Sequence, residues 1–183
     1  YVQPIHGKGV RVIWLKGETD MLGALEEVES FAEFAKRNNA VASTDVKSFE
    51  HLVCTEQLSR RLGFKVGEEL IRVVRVRSLN GSARQVDHGY FLESIAKGLT
   101  PEIAAKSIYN YLEHKRGVKV MASRRTVSVE LANDEDCSYL DIGKYNCVAV
   151  MESQSYTSDG ILFEVTHART HPEIFHYRVN SKR

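Results

Sequence analysis

Long stretches of alternating apolar residues, closed by short turn signals, constrain the fold of this chain more than any other feature. Residues 70–79 and 84–92 read as two strands around Asn80-Gly81, and a second pair of strands turns at Ser158-Asp159-Gly160. Turns of this composition between such stretches are typical of β-hairpins. The sequence therefore predicts two antiparallel hairpins.

Short helices are predicted between the strands, each beginning at a residue that can cap a helix. The predicted caps are Ser30, Thr55, Thr100, Ser107 and Asn133. Further strands are predicted over 10–15, 45–54, 118–131 and 175–179. Because helices and strands do not alternate regularly, we expect an α+β domain with a mainly antiparallel sheet flanked by helices, not a doubly wound nucleotide-binding fold.

Composition excludes several classes of protein. The 183 residues include 25 Lys+Arg and 24 Asp+Glu, a net charge of +1, which gives no electrostatic argument for nucleic-acid binding. Three cysteines without a C-x-x-C pair, no signal peptide and no membrane-length apolar segment predict a cytoplasmic protein. The histidines and cysteines lack metal-site and nucleophile spacings, so we predict no metal, no cofactor and no catalytic residue.

Two arginines in the first hairpin are the strongest indication of a binding site. Arg75 and Arg77 are two positions apart on one strand and so share a face with Ile71 and Val73, which read as core residues. Guanidinium groups on a core-facing surface need anionic partners. The partner is either an internal carboxylate, in an ordinary salt bridge, or an anionic ligand.

The turn decides which carboxylate joins these arginines. A three-residue loop with Gly81 left-handed would place Gln85 and Asp87 on the face of Arg75 and Arg77. A two-residue Asn-Gly turn is expected to send Asp87 to the opposite face. The sequence leaves both possibilities open.

The start of the helix at Ser107 is a second indication. Free backbone N–H groups, the helix dipole and a hydroxyl together can hold an anion, and Tyr109 offers a second hydroxyl nearby. Taken alone, a serine at this position is more often only an N-cap.

Three segments with these features resemble the UTRA domain, the effector-binding module of HutC-type GntR transcription regulators. They are VRVRSLNG at 74–81, KSIYNYLEHKRGVKV at 106–120 and SDGILFEV at 158–165. The resemblance extends over about residues 30–179 and rests on the order and spacing of the three motifs.

The resemblance implies a chorismate-lyase-like fold that binds a small effector between sheet and helices. By position, Arg75 and Arg77, with Ser107 and Tyr109, match residues that hold a phosphate in members responding to sugar phosphates. Asp87 and Glu164 match acids that hold sugar hydroxyls. Ser30 matches a region where backbone N–H groups reach the phosphate.

The resemblance also predicts domain organisation and function. Residues 1–29 are interpreted as a lead-in from a missing N-terminal winged helix-turn-helix domain plus a short strand, and 30–183 as the effector-binding domain. The predicted protein is not an enzyme but a homodimeric repressor that binds a small anionic metabolite and contacts DNA only through the missing domain. The alternatives are a chorismate-lyase-like enzyme acting on a carboxylate substrate and a domain that serves only for dimerisation.

Overall fold

Six long strands form one antiparallel sheet at the centre of the fold. The computed structural model describes residues 2–12, 22–23 and 28–177. The strand order is β4-β5-β6-β9-β8-β7, so β4 and β7 are the two edges. The strands are β4 (Ala42–Val53), β5 (Glu69–Leu79), β6 (Ser82–Leu92), β7 (Val120–Leu131), β8 (Cys147–Thr157) and β9 (Leu162–Thr170). The predicted α+β class and mainly antiparallel sheet are confirmed.

In the described part of the chain, five short α-helices flank the sheet, and their starts are those predicted. They are α1 (Phe31–Arg37), α2 (Glu56–Leu62), α3 (Pro101–Ala104), α4 (Ile108–Arg116) and α5 (Asp134–Tyr139). In each case the capping side chain accepts a backbone N–H three residues further on. Local capping chemistry therefore fixes where each helix begins.

Two apolar clusters cover the sheet. The larger joins fully buried Phe91 and Phe163 to Ile108 and Leu112 of α4. The smaller cluster comprises Val74, Val86, Val148 and Val150 under Leu140 and Ile142, which follow α5. Burying a side chain of this kind stabilises the fold by about 1.5–3 kcal/mol, so helices of six to nine residues are held by packing, not by their own propensity.

The first hairpin closes with a two-residue turn. Asn80 and Gly81 both have positive φ, 50° and 83°, and Leu79 pairs with Ser82. Positive φ at both central positions is the geometry of a type I′ turn, which suits the twist of two antiparallel strands. Of the two predicted possibilities, the structure therefore has the Asn-Gly turn.

A β-bulge at Arg84 changes the consequence of that turn. Beyond the bulge Arg77 pairs with Gln85 and Arg75 with Asp87, so Arg84 is the extra residue in β6. The expectation that a two-residue turn would put Asp87 on the opposite face is wrong, because the bulge restores the parity. The acid and both arginines lie on one face.

The ends of the chain add two small sheets. An antiparallel pair joins β1 (Val2–Ile5) to β2 (Gly9–Val12), and β3 (Leu22–Gly23) pairs in parallel with β10 (His176–Tyr177). A 3-10 turn at Pro172–Ile174 precedes β10. The predicted strands over 10–15 and 175–179 are thus seen only in part, since 13–15 and 178–179 lie outside the described residues.

Candidate functional site

One face of the sheet encloses a cavity of about 170 Å³ with α1, the start of α4 and the segment before β10. The side chains named from the sequence come from five different elements or their caps. All seven line this cavity: Ser30, Arg75, Arg77, Asp87, Ser107, Tyr109 and Glu164. The fold therefore brings the predicted residues to one place, and their binding role is taken up as a proposal below.

A buried ion triad forms the floor of the cavity. One oxygen of Asp87, Oδ2, accepts from Arg75 Nη2 at 2.5 Å and from Arg77 Nη2 and Nε at 2.8 and 3.1 Å. The side chains of Asp87 and Arg75 are 1% and 4% exposed, and that of Arg77 is 15% exposed. The internal carboxylate foreseen as one partner of the arginines is therefore present, but a single oxygen serves both.

Two polar atoms of this triad make no hydrogen bond. Arg75 Nε and Asp87 Oδ1 are buried without a partner among the described residues. Buried polar groups are almost always satisfied, so each such atom needs an explanation. An unsatisfied donor and an unsatisfied acceptor in the same triad suit a ligand that itself carries an acceptor, such as an anionic oxygen, and a donor, such as a hydroxyl.

The charges of the triad are set by one another. Burial alone would raise the pKa of Asp87, but Arg75 and Arg77 outweigh it and lower the pKa to about 2. Burial and the adjacent Arg77 lower the pKa of Arg75, yet an arginine remains protonated at neutral pH. Two cations and one anion give the triad a net positive charge.

Tyr109 and Glu164 meet beside the triad. The Tyr109 hydroxyl donates to Glu164 Oε2 at 2.5 Å and lies 3.1 Å from Ser155 Oγ. Burial raises the pKa of Glu164 although Tyr109 and Arg75 oppose it, and burial with the nearby Glu164 raises the pKa of Tyr109. The phenol is thus a neutral donor, and the acid is held less ionised than an exposed glutamate.

The two helix starts at the cavity differ. Ser107 Oγ accepts the N–H of Asn110 at 3.2 Å, and the first turn of α4 contains no acidic residue. Ser30, in contrast, forms a capping box in which both its N–H and its hydroxyl donate to Glu33 Oε2. The positive end of α4 is therefore open to an anion, whereas that of α1 already faces a carboxylate.

Aromatic side chains that the sequence analysis did not assign to the site form one wall of the cavity. Phe31 of α1 lies 5.1 Å below the Arg77 guanidinium, a cation–π contact. Phe175 and Tyr177 meet edge to face at 4.8 Å and line the cavity from the far end of the chain. No local pattern marks Phe175 or Tyr177, because their contact with the site depends on the tertiary fold alone.

Polar residues of three strands complete the lining. Ser123 and Arg125 of β7 alternate toward the cavity, as do hydroxyl side chains of β8 and β9: Ser153, Ser155, Thr166 and Thr170. Such period-two polar positions on otherwise apolar strands are a signal that sequence reading could have used. Among the described residues, no three His, Cys, Asp or Glu side chains are grouped to hold a metal ion.

A cationic, hydroxyl-lined cavity thus lies between an antiparallel sheet and short helices, an arrangement typical of domains that bind small molecules. The comparison with known protein families identifies the family of this domain. The family model of the UTRA domain matches residues 37–176, so the chain belongs to this family.

Named relatives are transcription regulators. The chain is 27% identical over 177 residues to the HTH-type transcriptional regulator TreR of Bacillus subtilis strain 168, covering 97% of this chain and 73% of TreR. The structure of the effector binding domain of this B. subtilis trehalose repressor superposes with a TM-score of 0.68 at 26% identity. That match covers 77% of this chain and 98% of the solved one.

A third comparison concerns the fold alone. The crystal structure of the possible transcriptional regulator YydK of B. subtilis has a TM-score of 0.79 at 22% identity, over 99% of this chain and 76% of that one. The predicted chorismate-lyase-like fold of such regulator domains is confirmed. These relatives are transcription regulators and not enzymes, so they give no support to the chorismate-lyase-like activity.

Proposed function

We propose that this chain is the effector-binding and dimerising domain of a bacterial HutC-type GntR repressor, and that its cavity binds a small anionic metabolite, a sugar phosphate. The observation that carries the proposal is the buried triad of Arg75, Arg77 and Asp87, which leaves one donor and one acceptor without a hydrogen bond. Salt bridging alone explains neither unsatisfied atom.

The phosphate has a defined place in this proposal. Arg75 and Arg77 supply planar N–H forks, Ser107 a hydroxyl with the open end of α4, and Tyr109 a phenol. Charge-assisted bonds from such forks are the stronger class of hydrogen bond. Phosphate binding would compete with Asp87 for the arginine N–H groups, which frees the carboxylate for a ligand hydroxyl.

The remaining lining fits a sugar. Asp87 and Glu164 can accept from hydroxyls, the serines and threonines of β7, β8 and β9 can both donate and accept, and Phe31 with Phe175 offers apolar faces. Sites of this kind combine an apolar surface with a few placed polar groups. The name of the related trehalose repressor supports a carbohydrate effector.

Control of DNA binding would follow from differential affinity. An effector shifts an equilibrium only if it binds one arrangement more tightly than the other. In the proposal the ligand favours an arrangement that cannot bind DNA, by ordering the segments around Ser30 and Ser107. In the proposal, DNA is contacted by a winged helix-turn-helix domain outside this chain. The protein is proposed to be cytoplasmic. No helix among the described residues has the length and hydropathy to cross a bilayer.

A homodimer is part of the proposal. Strand β7 is a sheet edge, and Val127, Val129 and Leu131 on it are 45%, 71% and 74% exposed. A long edge with exposed apolar side chains is a template for pairing with another strand. The strand that pairs with this edge is the β7 of a second copy of the chain, related by a twofold axis. Two β7 strands can pair antiparallel with each other in this arrangement.

Melting temperatures test the ligand site. A sugar phosphate at 100 times its dissociation constant should add about 2.7 kcal/mol, or roughly 5 to 10 °C, to the chain. Arg77→Ala should remove this shift, because it deletes a fork that faces the cavity. Arg72→Ala is the matched control, since Arg72 lies on the same strand and pairs with Glu50 instead. An equal shift in the Arg77 variant would contradict the proposed site.

A further inference from the structure

The segment over residues 171–177, which we call the strap, follows β9 and lines one wall of the cavity. Phe175 and Tyr177 are its cavity-lining aromatic residues. The last two residues of the strap form β10, which pairs in parallel with β3. Strand β3 belongs to the lead-in, residues 1–29. One short stretch of chain therefore contacts both the cavity and the lead-in.

The first residue of the strap is fixed to the sheet. His171 is 2% exposed, and its N–H donates to the Arg84 carbonyl at 2.8 Å. Its Nδ1 accepts the N–H of Glu173 at 3.2 Å, and its ring meets Tyr145 edge to face at 5.3 Å. Arg84 Nη1 also donates to Glu173 Oε2 at 3.0 Å. The bulge residue of β6 thus holds this end of the strap through its backbone and its side chain.

The other end of the strap is held by a short pairing. In the described part of the chain, β10 and β3 pair over two residues each. Phe175 and Tyr177 meet edge to face with their ring centroids 4.8 Å apart. Short pairings of this kind open locally at a small cost in free energy. We therefore expect the position of these two rings to decide whether β10 stays paired with β3.

Tyr177 also lies close to the residues that precede α1. Arg37 donates to both carboxylate oxygens of Glu29 at 2.7 Å, and Glu29 lines the cavity. Burial raises the pKa of Tyr177, opposed by Arg125 and Arg37 and supported by Glu29, so these charges surround the phenol. The lead-in is thus held beside the cavity at two places, at β3 by the strap and at Glu29 by its continuation into α1.

We propose that the strap transmits occupancy of the cavity to the lead-in. A ligand that touches Phe175 and Tyr177 fixes β10, and β10 then fixes β3 through their backbone pairing. The two arrangements of this relay are β3 paired with β10 and β3 released from it, and a ligand shifts their equilibrium by binding one more tightly. The inference rests on the proposed function, since it requires a ligand in the cavity and a DNA-binding domain beyond the lead-in.

Amide hydrogen exchange of the whole chain, followed by NMR, tests the relay without a ligand. Phe175→Ala changes the strap on its cavity side, and we expect exchange over residues 22–23 to become about tenfold faster. Phe175→Leu, which keeps an apolar side chain without the ring contact, should give a smaller increase and serves if the alanine variant does not fold. Met151→Ala is the matched control, because Met151 lines the same cavity from β8. Exchange over 22–23 that is unchanged in the Phe175 variants, or equally fast in the control, would overturn the proposal.

The same measurement with glucose 6-phosphate tests the coupling to a ligand. Binding is read separately, from the amide shifts of residues 75–77. In the native chain the bound probe should slow exchange over 22–23 roughly tenfold, and Phe175→Ala should lose this slowing while saturating probe still shifts 75–77. Shifts at 75–77 without slower exchange over 22–23 would overturn the relay and leave the proposed function standing. No shift at 75–77 would count against the proposed function, and the comparison without ligand would still decide whether the strap couples the cavity to the lead-in.

Discussion

Asp87 is the residue that partly balances the charge of the two buried arginines in the cavity. It is fully buried and compensates two arginines through one oxygen. Removing one member of a buried ion cluster leaves uncompensated charge, which costs about 3–5 kcal/mol. The same arrangement links the stability of the domain to pH.

Replacing Asp87 by Asn should destabilise the domain by several kcal/mol at pH 7, with less difference in acid. The folded-state pKa of Asp87 is lowered from 3.8 to about 2. Its contribution of about 2 kcal/mol is therefore present above pH 4 and is lost as the pH falls toward 2. Urea unfolding from pH 7 to pH 2 measures this. Asp45→Asn, at an exposed pair with Lys47, is the control.

Glu164 should behave in the opposite way. Burial raises its pKa in the folded state, so its contribution to stability is greatest below its ordinary value of 4.5 and is lost as the pH rises. Glu164→Gln keeps an oxygen for the Tyr109 hydroxyl and removes the titration. We expect the unfolding free energy of the variant to rise relative to that of the native chain as the pH rises above 4.5. A constant difference over this range would contradict the buried, partly neutral acid.

Elements differ in how far the sequence predicts them. Helix starts were predictable because a cap and the N–H it accepts are three residues apart, as at Ser107 and Asn110. A turn at Asn80-Gly81 was predictable from its local composition, but whether the loop had two or three residues was not. The bulge at Arg84 was not, because it depends on pairing between Arg75 and Asp87 across two strands. Local chemistry is visible in a sequence, and the register that satisfies a distant charge is not.

Helix α4 allows capping to be separated from ligand binding. Ser107→Ala should cost about 1 kcal/mol of stability and Ser107→Gly only a few tenths, since glycine is tolerated at an N-cap. Both remove the hydroxyl, so both should weaken the sugar phosphate similarly in calorimetric titrations. Thr100→Ala, at the cap of α3, should lower stability without changing affinity. Native affinity in the glycine variant would show that Ser107 is a cap alone.

At the scale of the whole molecule, seven residues of the cavity could be predicted from the sequence, because each matched a position of the family. They come from five elements or their caps. We did not predict from the sequence that Phe175, Tyr177 and Arg125 line the same cavity. Phe175 lies 144 positions from Phe31 along the chain. Such proximity comes from the path of the whole sheet, for which neither periodicity nor a motif gives a signal.

The oligomeric state is a property of the whole molecule too. Val129→Lys should shift the chain from dimer to monomer in sedimentation equilibrium, because a charge on the β7 edge opposes pairing with a second copy. Val53→Lys is the matched control, at a 57% exposed valine of the opposite edge strand β4. A dimer that survives the Val129 change with unaltered affinity would remove β7 from the interface.

The bulge at Arg84 has a consequence for how the ribbon assembles. Alignment of the two strands one residue out of step would turn Asp87 toward Val74 and Leu140, where an unaccompanied carboxylate is severely penalised. The charges that we propose to hold a metabolite would thereby also disfavour a wrong strand register while the chain folds. The same few atoms would then serve both ligand binding and the choice of register.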